Sequence, residues 1–138
     1  RGNFEKILKG RDGRDTEMQN LLEKTQNKLL GMDLGLAGSS RTTAQNMKKT
    51  AEKLDMKIIG GPQSDHFLKK LEEKGVQARK LSEATRTSYY VGDDRFVLMN
   101  MRQRDVTISL KDEEIARIFT EDFENLFKKA ESLNGNDR

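Results

Sequence analysis

The chain has 138 residues, of which 36% are charged and 33% hydrophobic, and its formal net charge is +3. This length suffices for one domain with a single core, and the composition predicts a small core beneath a heavily charged surface. There are no cysteines and one histidine. These counts exclude disulfides, cysteine nucleophiles and any metal site or mechanism that needs two histidines from one chain. We therefore expect neither a metal nor a cofactor.

No apolar run approaches the roughly 18 residues that a membrane-spanning helix needs. The N-terminus leads into no apolar segment of the signal-peptide type. We therefore expect a cytoplasmic protein without membrane contact. Because the first residue is Arg rather than Met, we also expect a fragment of a longer protein. Its expected parts are a linker or short N-terminal helix at 1–14, a single α/β domain at 15–130 and a disordered tail at 131–138.

Helix and strand patterns alternate through most of the chain. Apolar residues at three- and four-residue steps predict helices, and short apolar stretches bounded by Gly, Pro or polar residues predict strands. The final helix has the strongest amphipathic pattern. The predicted helices are 4–8, 16–28, 41–54, 67–74 and 112–130. The predicted strands are 29–36, 56–62, 76–81, 88–91, 96–101 and 106–110.

This order predicts an α/β fold with a mixed, mostly parallel sheet, helices on both faces and a C-terminal antiparallel hairpin. The hairpin turn is predicted at 92–95, where Gly and Asp suit the turn geometry. Asp93 and Asp94 lie in that turn. An acidic pair suggests a metal site, but in a tight hairpin the two side chains point apart, so we interpret both as turn residues.

Charge is unevenly distributed. Residues 41–80 contain ten basic and five acidic residues, whereas residues 111–138 contain five basic and eight acidic residues. The basic stretch is typical of two solvated helix faces. It also permits nucleic-acid binding, as in a nuclease-accessory module, and the two regions would attract each other within the fold or across a dimer.

Two segments contain candidate functional groups. The loop Ser39-Ser40-Arg41 precedes a helix, so it is either an N-cap or an anion-binding site. His66 lies beside Asp65 at the predicted start of another helix. A hydrolase using both is the less favoured interpretation, because sequence neighbours rarely form a catalytic triad. A lone surface or capping histidine fits better.

Tyr89 and Tyr90 are adjacent in a predicted strand and therefore face opposite sides of the sheet. We expect one in the core and one at the surface. This arrangement differs from the spaced aromatic residues of an RNA-binding sheet.

The segment Arg86-Thr87-Ser88-Tyr89-Tyr90-Val91-Gly92-Asp93-Asp94-Arg95-Phe96-Val97-Leu98-Met99 resembles the strand pair of phospholipase D-like domains. In that family an H-x-K-x-x-x-x-D motif crosses a strand and a turn. Segment 74–81 is similar to the family's helix-to-strand step, and segment 119–127 is similar to its C-terminal helix. The order of elements agrees over roughly residues 16–130.

The motif itself is degenerate. If Asp94 takes the Asp position, the His and Lys positions fall on Thr87 and Tyr89. If Asp93 takes it, they fall on Arg86 and Ser88. Either way the nucleophilic His and the phosphate-binding Lys are missing, as is the Gly-Ser turn that follows the motif. The resemblance therefore implies a domain without catalytic residues that is not an enzyme.

As a degenerate single copy of this fold, the chain resembles the C-terminal effector and dimerisation domains of TrmB-type archaeal transcription regulators. This resemblance implies a homodimer that binds a small-molecule or anionic effector, with DNA contacted by a separate N-terminal domain. The residues expected to bind such an effector are Ser39, Ser40, Arg41, Arg86, Tyr89 and Asp94.

Overall fold

The computed structural model describes residues 4–82 and 86–133, which form one sheet of eight strands flanked by four helices. The strands are β1 Phe4–Lys9, β2 Lys28–Asp33, β3 Asp55–Gly60, β4 Gln77–Lys80, β5 Ser88–Gly92, β6 Phe96–Met101, β7 Val106–Lys111 and β8 Glu131–Ser132. The helices are α1 Gly10–Lys24, α2 Arg41–Ala51, α3 Asp65–Glu73 and α4 Glu113–Lys129. None of these helices has the length and apolar character that would let it cross a membrane.

The strands follow the order β1-β7-β6-β5-β2-β3-β4-β8 across the sheet. Among the described residues, β2–β3 and β3–β4 are parallel, and the other neighbouring pairs are antiparallel. The prediction of a mixed sheet with helices on both faces is confirmed. The prediction that the sheet is mostly parallel is wrong, because β5 returns antiparallel beside β2 and both sheet edges are closed by antiparallel strands.

The N-terminal segment also differs from the prediction. Residues 4–8 were expected to be helical, because apolar residues recur there at helical spacing, but they belong to β1, which pairs along its length with β7. The local pattern does not show this partner, which lies about a hundred positions away. Gly10 has φ +87° and allows the chain to turn directly from β1 into α1. The glycine-containing segment predicted as a linker is thus the first turn of α1.

Two apolar cores lie on opposite faces of the sheet. Helices α1, α2 and α3 cover one face, where Leu29 and Ile58 point, and α4 covers the other, where Leu30 and Ile59 point. The alternation follows from the two-residue side-chain period of strands. Phe123 of α4 is fully buried.

The C-terminal segment was expected to be a disordered tail from residue 131. Instead Glu131 and Ser132 pair with β4, and Leu133 is buried. The rest of that expectation, from position 134 onward, lies outside the described residues. Helix α4 ends beside the open edge of β4, so the residues that follow it can pair there.

Candidate functional site

Polar side chains converge at the end of the sheet where β2 finishes and β5 begins. Strand register places Ser88 of β5 opposite Asn100 of β6, and Asn100 opposite Thr107 of β7. All three are buried, as is Asp33 at the end of β2. Because ligands of open α/β sheets bind outside the carboxyl ends of parallel strands, this end is the candidate site.

Asp33 is the centre of this cluster. Its carboxylate accepts hydrogen bonds from Ser88 Oγ at 3.0 Å and Tyr90 OH at 2.8 Å. Arg102 forms an ion pair with it, with Nη2 3.2 Å from Oδ1, and also donates to the carbonyl oxygen of Gly35 at 3.0 Å. Two strands, β2 and β5, and the loop after β6 therefore supply one cluster of side chains, the Asp33 network.

Gly31 makes this network possible. The Tyr90 ring crosses β2 at this residue, and a Cβ there would overlap the ring and also meet Ile58. The glycine that weakens the strand pattern in the sequence is thus what lets Tyr90 reach Asp33.

A small cavity adjoins the Asp33 network. Its volume of about 40 Å³ has room for a few water molecules and not for a metabolite. Asn100 lines it, donating to Thr107 Oγ1 at 2.9 Å while its own buried Oδ1 has no partner within the described protein. The exposed residues Gly38 and Arg102 also line this cavity, so it lies between the Asp33 network and the protein surface.

Both tyrosines of β5 hold their phenolic protons. Burial raises the pKa of Tyr90 well above its usual value, and the negative charge of Asp33 adds to the effect. Burial also raises the pKa of Tyr89, together with its hydrogen bond to Asp122 of α4. Each tyrosine is therefore a hydrogen-bond donor and not a base at neutral pH. They face opposite sides, as expected, but both are buried, so the expectation of one surface tyrosine is wrong. The reason is that β5 is a central strand covered by helices on both faces.

The opposite end of β5 is organised by Asp93. Its carboxylate accepts backbone N–H bonds from Gln26 at 2.7 Å, Asn27 at 2.8 Å and Lys28 at 3.1 Å. Partial burial opposes ionisation, but these three donors and the nearby Arg95 outweigh it and lower the pKa of Asp93.

The neighbouring Asp94 has a different role. Its carboxylate pairs with Lys28 Nζ at 3.2 Å on the protein surface. Asp93 and Asp94 have φ of 51° and 60°, the left-handed conformation that hairpin turns require. The structure agrees with the turn interpretation, and among the described residues no cluster of three His, Cys, Asp or Glu side chains is suited to a metal ion.

The structure distinguishes the two ways of placing the degenerate motif. With Asp93 at the Asp position, the His and Lys positions fall on Arg86 and Ser88, at the end of the sheet that holds the Asp33 network. With Asp94 there, the Lys position falls on Tyr89, which packs against Phe119 on the α4 face. The first alignment places the Lys position, Ser88, at the cavity and the His position, Arg86, at a separate groove that shares Arg102 with it.

The predicted capping loop lies at the same end of the sheet. Ser40 Oγ accepts the backbone N–H of Thr43 at 3.1 Å, so Ser40 is the N-cap of α2. Ser39 lines the cavity, and Arg41 is exposed at the first position of the helix.

The remaining predicted effector residues are dispersed. Arg86 lines a groove of about 300 Å³ that also contains Arg102 and Arg104. Tyr89 lies on the α4 face, and Asp94 lies at the hairpin. The six predicted residues therefore do not surround one point, and only Ser39, Ser40, Arg41 and Arg86 share an end of the sheet.

Sequence reasoning missed Asp33, Asn100 and Arg102. A signal existed for the first two, since each is a polar residue within or ending an otherwise apolar strand, a pattern that indicates a buried polar group. No local signal marked Arg102, which reaches Asp33 across 69 positions.

His66 is exposed on the first turn of α3. The adjacent carboxylate of Asp65 contacts Lys80 Nζ of β4, with both oxygens 3.2 Å away. The structure thus gives Asp65 a partner in the sheet and agrees with the surface interpretation of the histidine.

Solved structures with the same arrangement include three that cover nearly all of this chain. TrmBL2, described as an archaeal chromatin protein that shows a novel mode of DNA binding, aligns with 93% of the chain at 18% identity and a TM-score of 0.77. NucT from Helicobacter pylori aligns with 94% at 10% identity and a TM-score of 0.75. Phosphatidylserine synthase from Haemophilus influenzae Rd KW20 aligns with 99% at 14% identity and a TM-score of 0.59.

These likenesses show that the chain shares its fold with these three proteins, which supports the expected phospholipase D-like fold. The neighbours include an enzyme, the synthase, as well as a DNA-binding protein. The chain spans 54% of TrmBL2 and 41% of the synthase, but 99% of NucT. It matches no family model, and no curated protein matches it.

Proposed function

We propose that this chain is a non-catalytic regulatory domain that forms a homodimer and responds to a small anionic effector. In this proposal it belongs to a TrmB-type transcription regulator whose DNA is contacted by another domain. The shared fold supports this assignment, because TrmBL2 is named as a chromatin protein that binds DNA and this chain covers only 54% of its length.

The Asp33 network carries the proposal. A phosphohistidine mechanism needs an imidazole that attacks phosphorus, and at that position this chain has Arg86, whose guanidinium stays protonated. At the Lys position Ser88 donates its hydroxyl to Asp33. Asp33 is already committed to Tyr90 and Arg102, so it is unsuited to activate Ser88 as a nucleophile. The groups at this end hydrogen-bond to one another, which supports the proposed non-catalytic role.

The groove beside the network supplies the effector site in this proposal. Arg86, Arg102 and Arg104 line it, with the polar side chains of Thr87 and Gln103. Arginine binds phosphate and carboxylate groups through two parallel hydrogen bonds, so three arginines at one groove favour an anionic ligand. Arg102 belongs to both the groove and the Asp33 network, so an anion bound there would be linked to the interior.

Thermal-shift measurements with glucose, glucose 6-phosphate and inorganic phosphate at constant ionic strength test this assignment. We expect the two phosphate-bearing probes to raise Tm and glucose alone to leave it unchanged. Arg104→Gln should abolish the rise, because Arg104 is exposed and lies outside the Asp33 network. Arg117→Gln, an exposed arginine of α4, is the matched control and should retain the rise. No shift with any probe, together with a monomer in light scattering, would overturn both halves of the proposal.

A second candidate function is nucleic-acid binding by the basic stretch at 41–80. The observation that favours it is that α2 and α3 pack on the same face of the sheet, so their charges lie on one side of the molecule. Exposed lysines of this side include Lys49, Lys53, Lys69 and Lys70.

Filter binding of duplex DNA at two salt concentrations separates the two candidates. Phosphate contacts by these lysines would give a steep salt dependence, with each lost contact reducing the log–log slope by about 0.9. Replacing Lys69 and Lys70 by Gln should then flatten the slope, whereas replacing Lys128 and Lys129 of α4 should not. Binding that is absent or insensitive to salt removes this candidate.

A further inference from the structure

Strand β1 is the outermost strand at one edge of the sheet and is hydrogen-bonded to β7 on one side. The backbone N–H of Gly10 donates to the Asp105 carbonyl oxygen, so Gly10 faces β7. Backbone groups of successive residues alternate in direction along an antiparallel ladder. Glu5, Ile7 and Lys9 therefore present their N–H and C=O groups to the open edge. Such an edge is a template for pairing with another strand.

The side chains of the same three residues share one face of the sheet. Ile7 lies opposite Ile108, and Ile108 lies opposite Met99, which in turn lies opposite Tyr89. This row of side chains is therefore on the α4 face. Helix α4 lies over β2, β5 and β6 and leaves the β1 side of this face open. Ile7 is accordingly 72% exposed.

A second exposed apolar residue lies toward the same edge. Ile118 of α4 is 60% exposed. It is nine residues from Phe127, which places it on the opposite flank of the helix. Because the Phe127 ring contacts Lys57 of β3 and Arg79 of β4, Ile118 is directed toward β7 and β1. In the described residues, the two exposed large apolar side chains thus lie on one side of one face.

We infer that β1 pairs antiparallel with β1 of a second copy of this chain, about a two-fold axis at Ile7. In this register Ile7 faces its own copy, and Glu5 faces Lys9 of the other chain in two symmetric pairs. Glu5 and Lys9 are both exposed, and neither makes a salt bridge within the described part of the chain.

Charge favours this register over the two registers whose two-fold axis is shifted by one residue. An axis at Lys6 would place two copies of that lysine opposite each other, and an axis at Leu8 would place Lys9 against Ile7. The register at Ile7 also brings together residues whose backbone groups all point outward. Opposite-charge pairs directly across a ladder stabilise it, and like charges destabilise it. The inference rests on the homodimer of the proposed function and names its interface.

Charge reversal tests the register. Glu5→Lys and Lys9→Glu each turn two attractive pairs into two repulsive ones, so each variant should dimerise about tenfold more weakly or not at all. An equimolar mixture of the two variants restores both attractive pairs, and so does the double variant E5K/K9E. Both preparations should therefore be dimeric. Glu114→Lys, an exposed acid of α4 with the same charge change, is the matched control and should remain a dimer.

Multi-angle light scattering gives the oligomeric state, and circular dichroism confirms that each variant is folded. If the unmodified chain is monomeric, both this inference and the homodimer of the proposed function fail. If it is dimeric and the single variants stay dimeric, the interface lies elsewhere and only this inference is overturned. If the single variants dissociate but neither the mixture nor the double variant recovers, the register about Ile7 is wrong.

Discussion

The two ends of β5 are each organised by one carboxylate, and the donors differ. Asp93 at the hairpin accepts three backbone N–H groups. Asp33 at the other end accepts from the side chains of Ser88, Tyr90 and Arg102 and from one backbone N–H, that of Gly35. Backbone donors are present whatever the sequence of the donating loop, whereas side-chain donors depend on the identity of each residue.

In our proposal the two ends of β5 also hold the positions of the degenerate motif. The hairpin end keeps an Asp at the motif position, where it holds the loop before β2. The other end has Arg86 and Ser88 in place of the reactive groups, and the cluster there is closed around Asp33. On our proposal of a non-catalytic domain, Asp93 holds the backbone at the hairpin end and the groups at the Asp33 end serve internal hydrogen bonding.

The largest effect is expected at Asp33. Asp33→Ala leaves the buried hydroxyls of Ser88 and Tyr90 without an acceptor and should lower the free energy of unfolding by roughly 2–4 kcal/mol. Urea denaturation measures the loss. A loss of unfolding free energy smaller than that caused by Asp93→Asn would contradict the view that Asp33 organises the interior.

Tyr90→Phe should follow at about 1.5–3 kcal/mol, because it removes a buried donor to a charged acceptor. Tyr89→Phe is the matched control, since it also removes one hydroxyl from β5, and its acceptor Asp122 is only half-buried. We expect the smaller loss for Tyr89→Phe in the same denaturation experiment. Equal losses of unfolding free energy in the two variants would show that the two tyrosine hydroxyls contribute equally on the two faces of the sheet.

Asp93→Asn retains a residue that tolerates the left-handed turn but removes the negative charge. We expect a loss of about 1–2 kcal/mol at neutral pH, by analogy with helix N-caps that hold backbone N–H groups. Because the folded pKa of Asp93 lies below its ordinary value of 3.8, its contribution is present above that value. It disappears as the pH falls through the lower folded pKa.

Denaturation curves at pH 7 and at acid pH check this dependence. The difference between the unmodified chain and Asp93→Asn should be constant above the ordinary pKa and shrink below it. A difference that grows as the pH falls would contradict the role of the ionised carboxylate.

Asp94→Asn should change stability by no more than about 0.5 kcal/mol, because its pair with Lys28 is exposed to solvent. Asn preserves the turn conformation, so the comparison with Asp93→Asn isolates what the backbone donors add. A loss as large as that of Asp93→Asn, measured under the same conditions, would show that the two turn carboxylates are equivalent.

The sequence was informative where the signal is local. Helices 41–51 and 113–129 and the hairpin around Asp93 follow from amphipathic spacing, N-caps and turn residues, which act over a few positions. The strand at 4–9 and the antiparallel return of β5 beside β2 depend on partners far along the chain, so local patterns missed them. The polar residues Asp33 and Asn100 in apolar strands were a local signal, but the contacts of the Asp33 network were not, since Asp33 and Tyr90 are 57 positions apart.

The most direct test of the central claim is hydrolysis of bis(p-nitrophenyl) phosphate, a substrate that asks only for phosphodiester cleavage. We expect the unmodified chain to release p-nitrophenolate no faster than buffer, and the double variant R86A/S88A to behave the same. Release that rises with protein concentration and is lost in R86A/S88A would show that the residues at the motif positions are reactive, and would contradict the account.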